Sequence, residues 1–165
     1  GAYSGTGVYL EFQNRIGVVK AYTTRVGEGP FPTEQSNVAG EALRRQGGEV
    51  GATTGRPRRC GWLDLPLLRE ACITNGTNAL VLTKLDVLSG FETIPVAVGR
   101  GSDGAPIYDE RPGWAEPLED LKSDADLPRT CRDYISFIEE FLDVPVALAS
   151  FGPDRAQTLT RRSLW

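Results

Sequence analysis

Two rhythms of apolar and polar positions run along this chain. Ile16 to Thr24 (IGVVKAYTT) is apolar and β-branched and predicts a strand. Ala79 to Thr83 (ALVLT) is an unbroken apolar run, the mark of a strand buried on both faces. Thr93 to Val98 (TIPVAV) predicts another strand, with Pro95 pointing to an edge position or a bulge. Pro145 to Ala149 is the last expected strand, and the chain leaves it through the turn Ser150-Phe151-Gly152-Pro153.

Between these strands the spacing turns helical. Gly40 to Arg45 predicts a short helix closed by Gly47 and Gly48. Asp64 is placed to cap a helix over Leu65 to Ile73, with Pro66 tolerated in its first turn and Asn75-Gly76 ending it. Leu127 to Leu142 is the most legible helix. Cys131, Tyr134, Ile135, Ile138, Phe141 and Leu142 form one apolar stripe, with Arg132, Asp133, Glu139 and Glu140 off it, so the stripe reads as core. Gly27 to Pro32 reads as a loop, and Gly99 to Asp126 is polar and rich in Gly and Pro, without clear periodicity. Strand, helix and strand in repetition predict an α/β fold with a mostly parallel sheet flanked by helices. In such sheets ligands bind at the carboxyl ends of the strands.

Composition narrows the function classes. With 165 residues, 40% hydrophobic and 24% charged, the chain has the size and balance of one ordinary soluble domain. A net charge of −4 argues against general nucleic-acid affinity, and no apolar run approaches a membrane span. Cys60, Cys72 and Cys131 are odd in number and widely spaced, and form neither a zinc pattern nor a disulfide framework, which suits a cytoplasmic location. Histidine is missing, and with it the commonest general acid and base at neutral pH. Methionine is missing too, and the chain opens on GAYSGTG, so a processed product or a fragment is expected.

Three segments carry candidate chemistry. Thr53 to Arg59 holds two threonines, a glycine and three arginines within the loop GATTGRPRRCGW. Arg56 and Arg58 bring planar forks that can grip a carboxylate or phosphate through paired hydrogen bonds. Thr53 and Thr54 add hydroxyls, and Gly51 and Gly55 allow positive φ and close backbone approach. A basic surface loop is the plain alternative. Lys84-Leu85-Asp86 follows the strand Ala79 to Thr83; there a carboxylate could accept two N–H groups from a guanine edge while a lysine stem covers the ring. An exposed charge pair at a strand end is the alternative. Ser150, Phe151 and Gly152 could complete a base pocket or simply form a turn.

Taken together, GVVKAYTTRVGEGPFPTE (Gly17 to Glu34), GATTGRPRRCGWLDL (Gly51 to Leu65), LTKLDVLSG (Leu82 to Gly90) and SFGPDR (Ser150 to Arg155) resemble the adenylosuccinate synthetase family, in the same order and at similar spacing. The resemblance covers nearly the whole chain from Ile16 onward. It implies a P-loop-NTPase-like fold with the phosphate-loop half missing, residues 1–165 being the carboxyl-terminal region. It also implies a reaction: GTP phosphorylates the 6-oxygen of IMP, and the amine of L-aspartate displaces the phosphate, on the route to AMP.

By the same resemblance, Ala52, Thr53, Thr54, Gly55, Arg56, Pro57 and Arg58 form an aspartate-binding loop, and Arg56 also reaches IMP. Arg58, Lys84, Leu85, Asp86, Ser150, Phe151 and Gly152 would meet GTP, and Val26-Gly27 would wall the aspartate loop. The resemblance also implies a homodimeric full enzyme that uses Mg2+, with neither nucleic acid nor membrane as a partner. The family's glycine-rich phosphate loop, catalytic aspartate, histidine acid and magnesium ligands have no counterpart here. The chain is therefore expected to supply binding elements, to contain no catalytic or metal-ligating residue, and to be inactive alone. A guanine-nucleotide-binding module completed by a separate chain is the alternative. Three departures stand out: Tyr9 to Arg15 does not look like the family's usual lead-in, Pro57 stands where members usually carry a basic residue, and Gly99 to Pro106 looks short.

Overall fold

The computed structural model describes residues 5–8, 11–53 and 55–164. Its centre is a four-stranded sheet in the order β1 (Ile16–Lys20), β4 (Ala79–Thr83), β7 (Val146–Ser150), β8 (Thr158–Thr160). The first three are parallel, and β8 runs antiparallel along β7. Two small antiparallel pairs complete the sheets: β2 (Thr23–Arg25) with β3 (Arg59–Gly61), and β5 (Thr93–Arg100) with β6 (Pro106–Pro112). The fold is thus α/β with a mixed, mostly parallel main sheet.

The expected strand from Ile16 to Thr24 is in fact two. It breaks at Ala21 and Tyr22, each 1% exposed, where the chain dives into the core. There the Ala21 carbonyl accepts the buried Tyr134 hydroxyl at 2.7 Å, and its N–H donates to the Thr83 carbonyl at 2.8 Å. β5 was expected from Thr93 to Val98, but it lies outside the parallel sheet, paired along its length with β6 and bridged to Asp64 at Ala97. Its bulge falls between Ala97 and Gly99, and Pro95 sits within the hairpin. β3, β6 and β8 were not expected: Arg59–Gly61 falls in the stretch read as a loop, and all three are polar, Pro-rich or very short and carry no period of two.

The helices α1 (Val38–Gln46), α2 (Leu65–Asn75) and α3 (Arg129–Leu142) follow local signals. Asn37 caps α1, accepting the Gly40 N–H at 3.1 Å. Asp64 caps α2 through the Leu67 N–H at 3.2 Å, worth about 1 kcal/mol by analogy with other caps. Gly76 closes α2 in the left-handed region, as the Asn75-Gly76 pair predicts. On α3, Cys131, Tyr134, Ile135, Ile138 and Leu142 are buried, whereas Phe141 is partly covered and stacks under the Arg69 guanidinium at 4.3 Å. Burial pushes the Cys131 thiol up to about 12, so it is an inert core group.

Candidate functional site

The parallel register brings three strand ends to one edge of the sheet. Lys20 lies beside Thr83, and Leu82 beside Ala149. Ala21-Tyr22, Lys84-Leu85-Asp86 and Ser150-Phe151-Gly152 therefore leave the sheet side by side. This is the carboxyl edge, where an α/β sheet offers its backbone to ligands.

The arginine loop is a hairpin joined to that edge. Val50 and Pro57 bridge in antiparallel fashion, Gly51 N–H donates to Arg56 O at 2.9 Å, and Arg58 N–H donates to Glu49 O at 2.9 Å. Gly55 turns the tip with φ 64°, which favours glycine, while Gly51 is not among the positive-φ glycines, contrary to the expectation that both use this freedom. Ala52, Thr53, Gly55, Arg56 and Pro57 are exposed, and Arg58 is half-buried. Thr54, expected to join them, lies outside the described residues.

The three arginines divide their roles sharply. Arg58 donates from Nη1 to the buried Glu49 at 2.8 Å, while its Nε is buried without a hydrogen-bond partner. Arg59, which sequence reasoning assigned no role, grips Glu34 through Nε at 2.8 Å and the Gly29 carbonyl through Nη1 at 2.9 Å, and lies over the Phe31 ring. It thereby staples the loop Gly27 to Pro32 against the hairpin. Arg56 stays at the surface. A cavity of about 370 Å³ lies between the loops, lined by Arg25, Val26 and Gly27 on one side and by Gly51, Arg56, Pro57, Arg58 and Arg59 on the other. Its lining contains four arginines and no acidic residue, with Arg58 and Arg59 paired from behind to Glu49 and Glu34.

Glu49 is the residue that sequence reasoning missed. Within the polar run GGEVG it looks like a solvated loop acid, yet its side chain is 1% exposed. Its carboxylate accepts Lys20 Nζ at 2.6 Å, the Tyr22 hydroxyl, and Arg58 Nη1 at 2.8 Å. Burial alone would push this carboxyl up, but the bonds from Lys20, Tyr22 and Arg58 outweigh it and hold it below its ordinary range. Tyr22 shifts upward, from burial first and the Glu49 hydrogen bond second. Gly47 makes room for this arrangement, since a Cβ there would run into the Tyr22 hydroxyl and the Leu43 carbonyl.

The other two segments form a second region. Lys84 adopts φ 62° and donates from Nζ to the Gly47 carbonyl at 2.7 Å. It is not the exposed half of a surface pair. Asp86 is half-buried, with Oδ1 enclosed and unpartnered, and burial raises its pKa despite help from its own amide, Lys84 and the Val87 amide. Leu85 is fully buried and Phe151 is 2% exposed, so their side chains belong to the core and only their backbones can face a ligand. Ser150 Oγ donates to the Gly152 carbonyl at 3.1 Å. None of these residues lines the arginine cavity, and Phe151 borders a separate cavity of about 290 Å³ with Lys122 and Gln157.

This arrangement has known counterparts. Residues 1–159 match the family model described as adenylosuccinate synthetase, so the match begins well upstream of Ile16. The chain belongs to the adenylosuccinate synthetase family. The adenylosuccinate synthetase of Salinibacter ruber is 47% identical over 177 residues, covering 97% of this chain and 40% of that protein. That of Moorella thermoacetica is 48% identical over 180 residues, covering 99% of this chain and 42% of its own length. The structure of fully ligated adenylosuccinate synthetase from Plasmodium falciparum superposes with a TM-score of 0.92 at 37% identity, over 97% of this chain and 43% of that one. The chain thus spans about two fifths of the length of these adenylosuccinate synthetases. Among the described residues no helix is long and apolar enough to cross a membrane, and no three His, Cys, Asp or Glu side chains converge as a metal site.

Proposed function

We propose that this chain supplies the aspartate- and guanine-binding elements of an adenylosuccinate synthetase, a ligase that uses GTP to join IMP and L-aspartate in purine biosynthesis. In this reading residues 1–165 are the carboxyl-terminal region of the enzyme and continue a P-loop-NTPase-like sheet. The observation that carries it is the acid-free arginine cavity, in which Arg56, Pro57 and Arg58 face Val26 and Gly27. L-aspartate brings two carboxylates, and the guanidinium of Arg56 offers a fork for one of them, with Ala52, Thr53 and Gly55 closing the tip. Arg56 also reaches the IMP ribose, and Arg58 turns toward GTP.

At the second region Asp86 accepts the guanine N–H groups. Its enclosed, unpartnered Oδ1 supports that role, because a buried acceptor gains most from a donor the ligand brings. The backbone of Leu85, Phe151 and Gly152, with the Ser150 hydroxyl, frames the base, and Lys84 fixes the turn. Mg2+ would neutralise phosphate charge in the full enzyme. The described residues do not gather ligands for it. The full enzyme is a cytoplasmic homodimer in this reading, with small molecules as its ligands.

The test is a chimera in which these 165 residues replace the matching part of the Salinibacter ruber enzyme, 47% identical over the match. It should form adenylosuccinate from IMP, L-aspartate and GTP, whereas the chain alone should form none. Arg56→Leu in the chimera should raise the KM for L-aspartate, and Asp86→Asn should narrow the preference for GTP over ATP. A folded chimera without turnover, or turnover by the chain alone, would overturn the reading.

A further inference from the structure

Glu49 stands one shell behind the cavity. It does not line it, yet its backbone and side chain both hold Arg58, which does. The two residues face each other at the base of the hairpin, so the Arg58 N–H to Glu49 O bond and the Nη1 to Oε2 bond act in parallel. Arg44 Nε adds a third restraint, donating to the Arg58 carbonyl at 3.1 Å. The charges do not cancel. Two cations, Lys20 and Arg58, meet one carboxylate, and Lys20 is further held by Thr24 Oγ1 at 3.0 Å. After pairing, the cluster keeps a net positive charge, and Arg58 presents it to the cavity. A buried acid held by donors from positions 20, 22 and 58 ties the arginine loop to the carboxyl end of β1.

From this geometry we infer that Glu49 is a positioning residue: it locks the Arg58 guanidinium in its ligand-facing orientation before any ligand arrives. The inference rests on the ligand role proposed above for Arg58 and adds a device behind it. An arginine with one Nη already engaged has fewer orientations to lose on binding, so the loop meets its ligand pre-organised. A merely structural Glu49 would hold the fold together but leave the affinity of the folded protein unchanged.

The guanidinium itself provides the readout. In the 165-residue chain, NMR of isotope-labelled arginine side chains, with Arg58→Leu for assignment, should show slow guanidinium rotation at Arg58. Glu49→Gln should make that rotation fast while the amide spectrum elsewhere stays in place. Fast rotation in the wild type, or restraint that survives in Glu49→Gln, would overturn the inference. Should Glu49→Gln not fold, Glu49→Asp replaces it: its carboxylate stops one methylene short, so rotation should speed up several-fold, and an unchanged rate counts against the lock. No ligand is needed, so a failure of the functional reading leaves this result standing.

The second arm uses the chimera and GTP, the ligand proposed for Arg58. Glu49→Gln should weaken apparent affinity about tenfold when Arg58 is present and not at all in an Arg58→Leu background, as expected of two residues acting through one contact. Equal losses in both backgrounds would show that Glu49 does not act through Arg58.

Discussion

The arginine hairpin and the Lys84-to-Asp86 turn handle a buried carboxylate in opposite ways. Glu49 is enclosed and fully supplied, with donors from Lys20, Tyr22 and Arg58. Asp86 is half-enclosed and short of a donor at Oδ1. Burial acts on both, yet Glu49 shifts down and Asp86 shifts up. The difference lies in whether the protein completes the hydrogen bonds itself. A satisfied acid organises its neighbours. An unsatisfied one costs stability in the free protein and leaves an acceptor for a ligand to fill.

The sharpest way to break this contrast is Glu49→Ala. It leaves a lysine, an arginine and a tyrosine without their shared acceptor and should cost about 3–5 kcal/mol in denaturant unfolding. It should also flatten the loss of stability in acid. The sign follows from the downward shift: Glu49 contributes stability above the ordinary carboxylate range and loses it as pH falls through its depressed value. A loss under about 1 kcal/mol would mean that the network does not anchor the hairpin.

Second in size is the difference between two arginines of one loop. Arg58→Leu removes one of the three Glu49 donors and should cost roughly 2 kcal/mol. Arg56→Leu, at an exposed position, should cost at least about 1 kcal/mol less, and equal losses would erase the division of labour. Asp86→Asn should go the other way, stabilising the free chain by up to about 1 kcal/mol because it removes a desolvated charge. Its acid limb should steepen, since the raised Asp86 imposes a penalty above its shifted value that protonation relieves as pH falls. A destabilised, pH-indifferent Asp86→Asn would contradict the unfilled acceptor. Smallest is Arg59→Ala. It should loosen amide exchange protection across Gly27 to Pro32 without moving the global denaturation midpoint, because the staple it removes is local.

What the sequence makes legible is whatever local chemistry decides. Asp64 and Gly76 mark the ends of α2 because caps act within a few residues. β4 spans Ala79 to Thr83 as expected because a central strand needs apolar side chains on both faces. The stripe on α3 shows its core face for the same reason. Long-range pairings are not written this way. β6 forms because β5 lies beside it, and nothing in PIYDERP alone demands a strand. Glu49 is invisible for a related reason: its three donors come from distant positions, and only the assembled hairpin and sheet edge bring them within reach. The candidate ligand residues show the reverse pattern. Family motifs mark Arg56, Arg58, Lys84 and Asp86, whereas Glu49, which holds Arg58, lies in a segment that reads as ordinary loop, and Gly47, which holds Lys84, reads only as a helix stop.

The bond from Lys84 to the Gly47 carbonyl joins these two regions. Gly47 ends α1 two residues before Glu49, and its lack of a side chain admits the Tyr22 hydroxyl. The arginine hairpin and the Asp86 turn are therefore not two independent cradles on a common scaffold. They share a hinge pin, and a displacement of the α1 terminus is felt by both. Any change that crowds Gly47 should disturb both regions together, as a single mechanical fault.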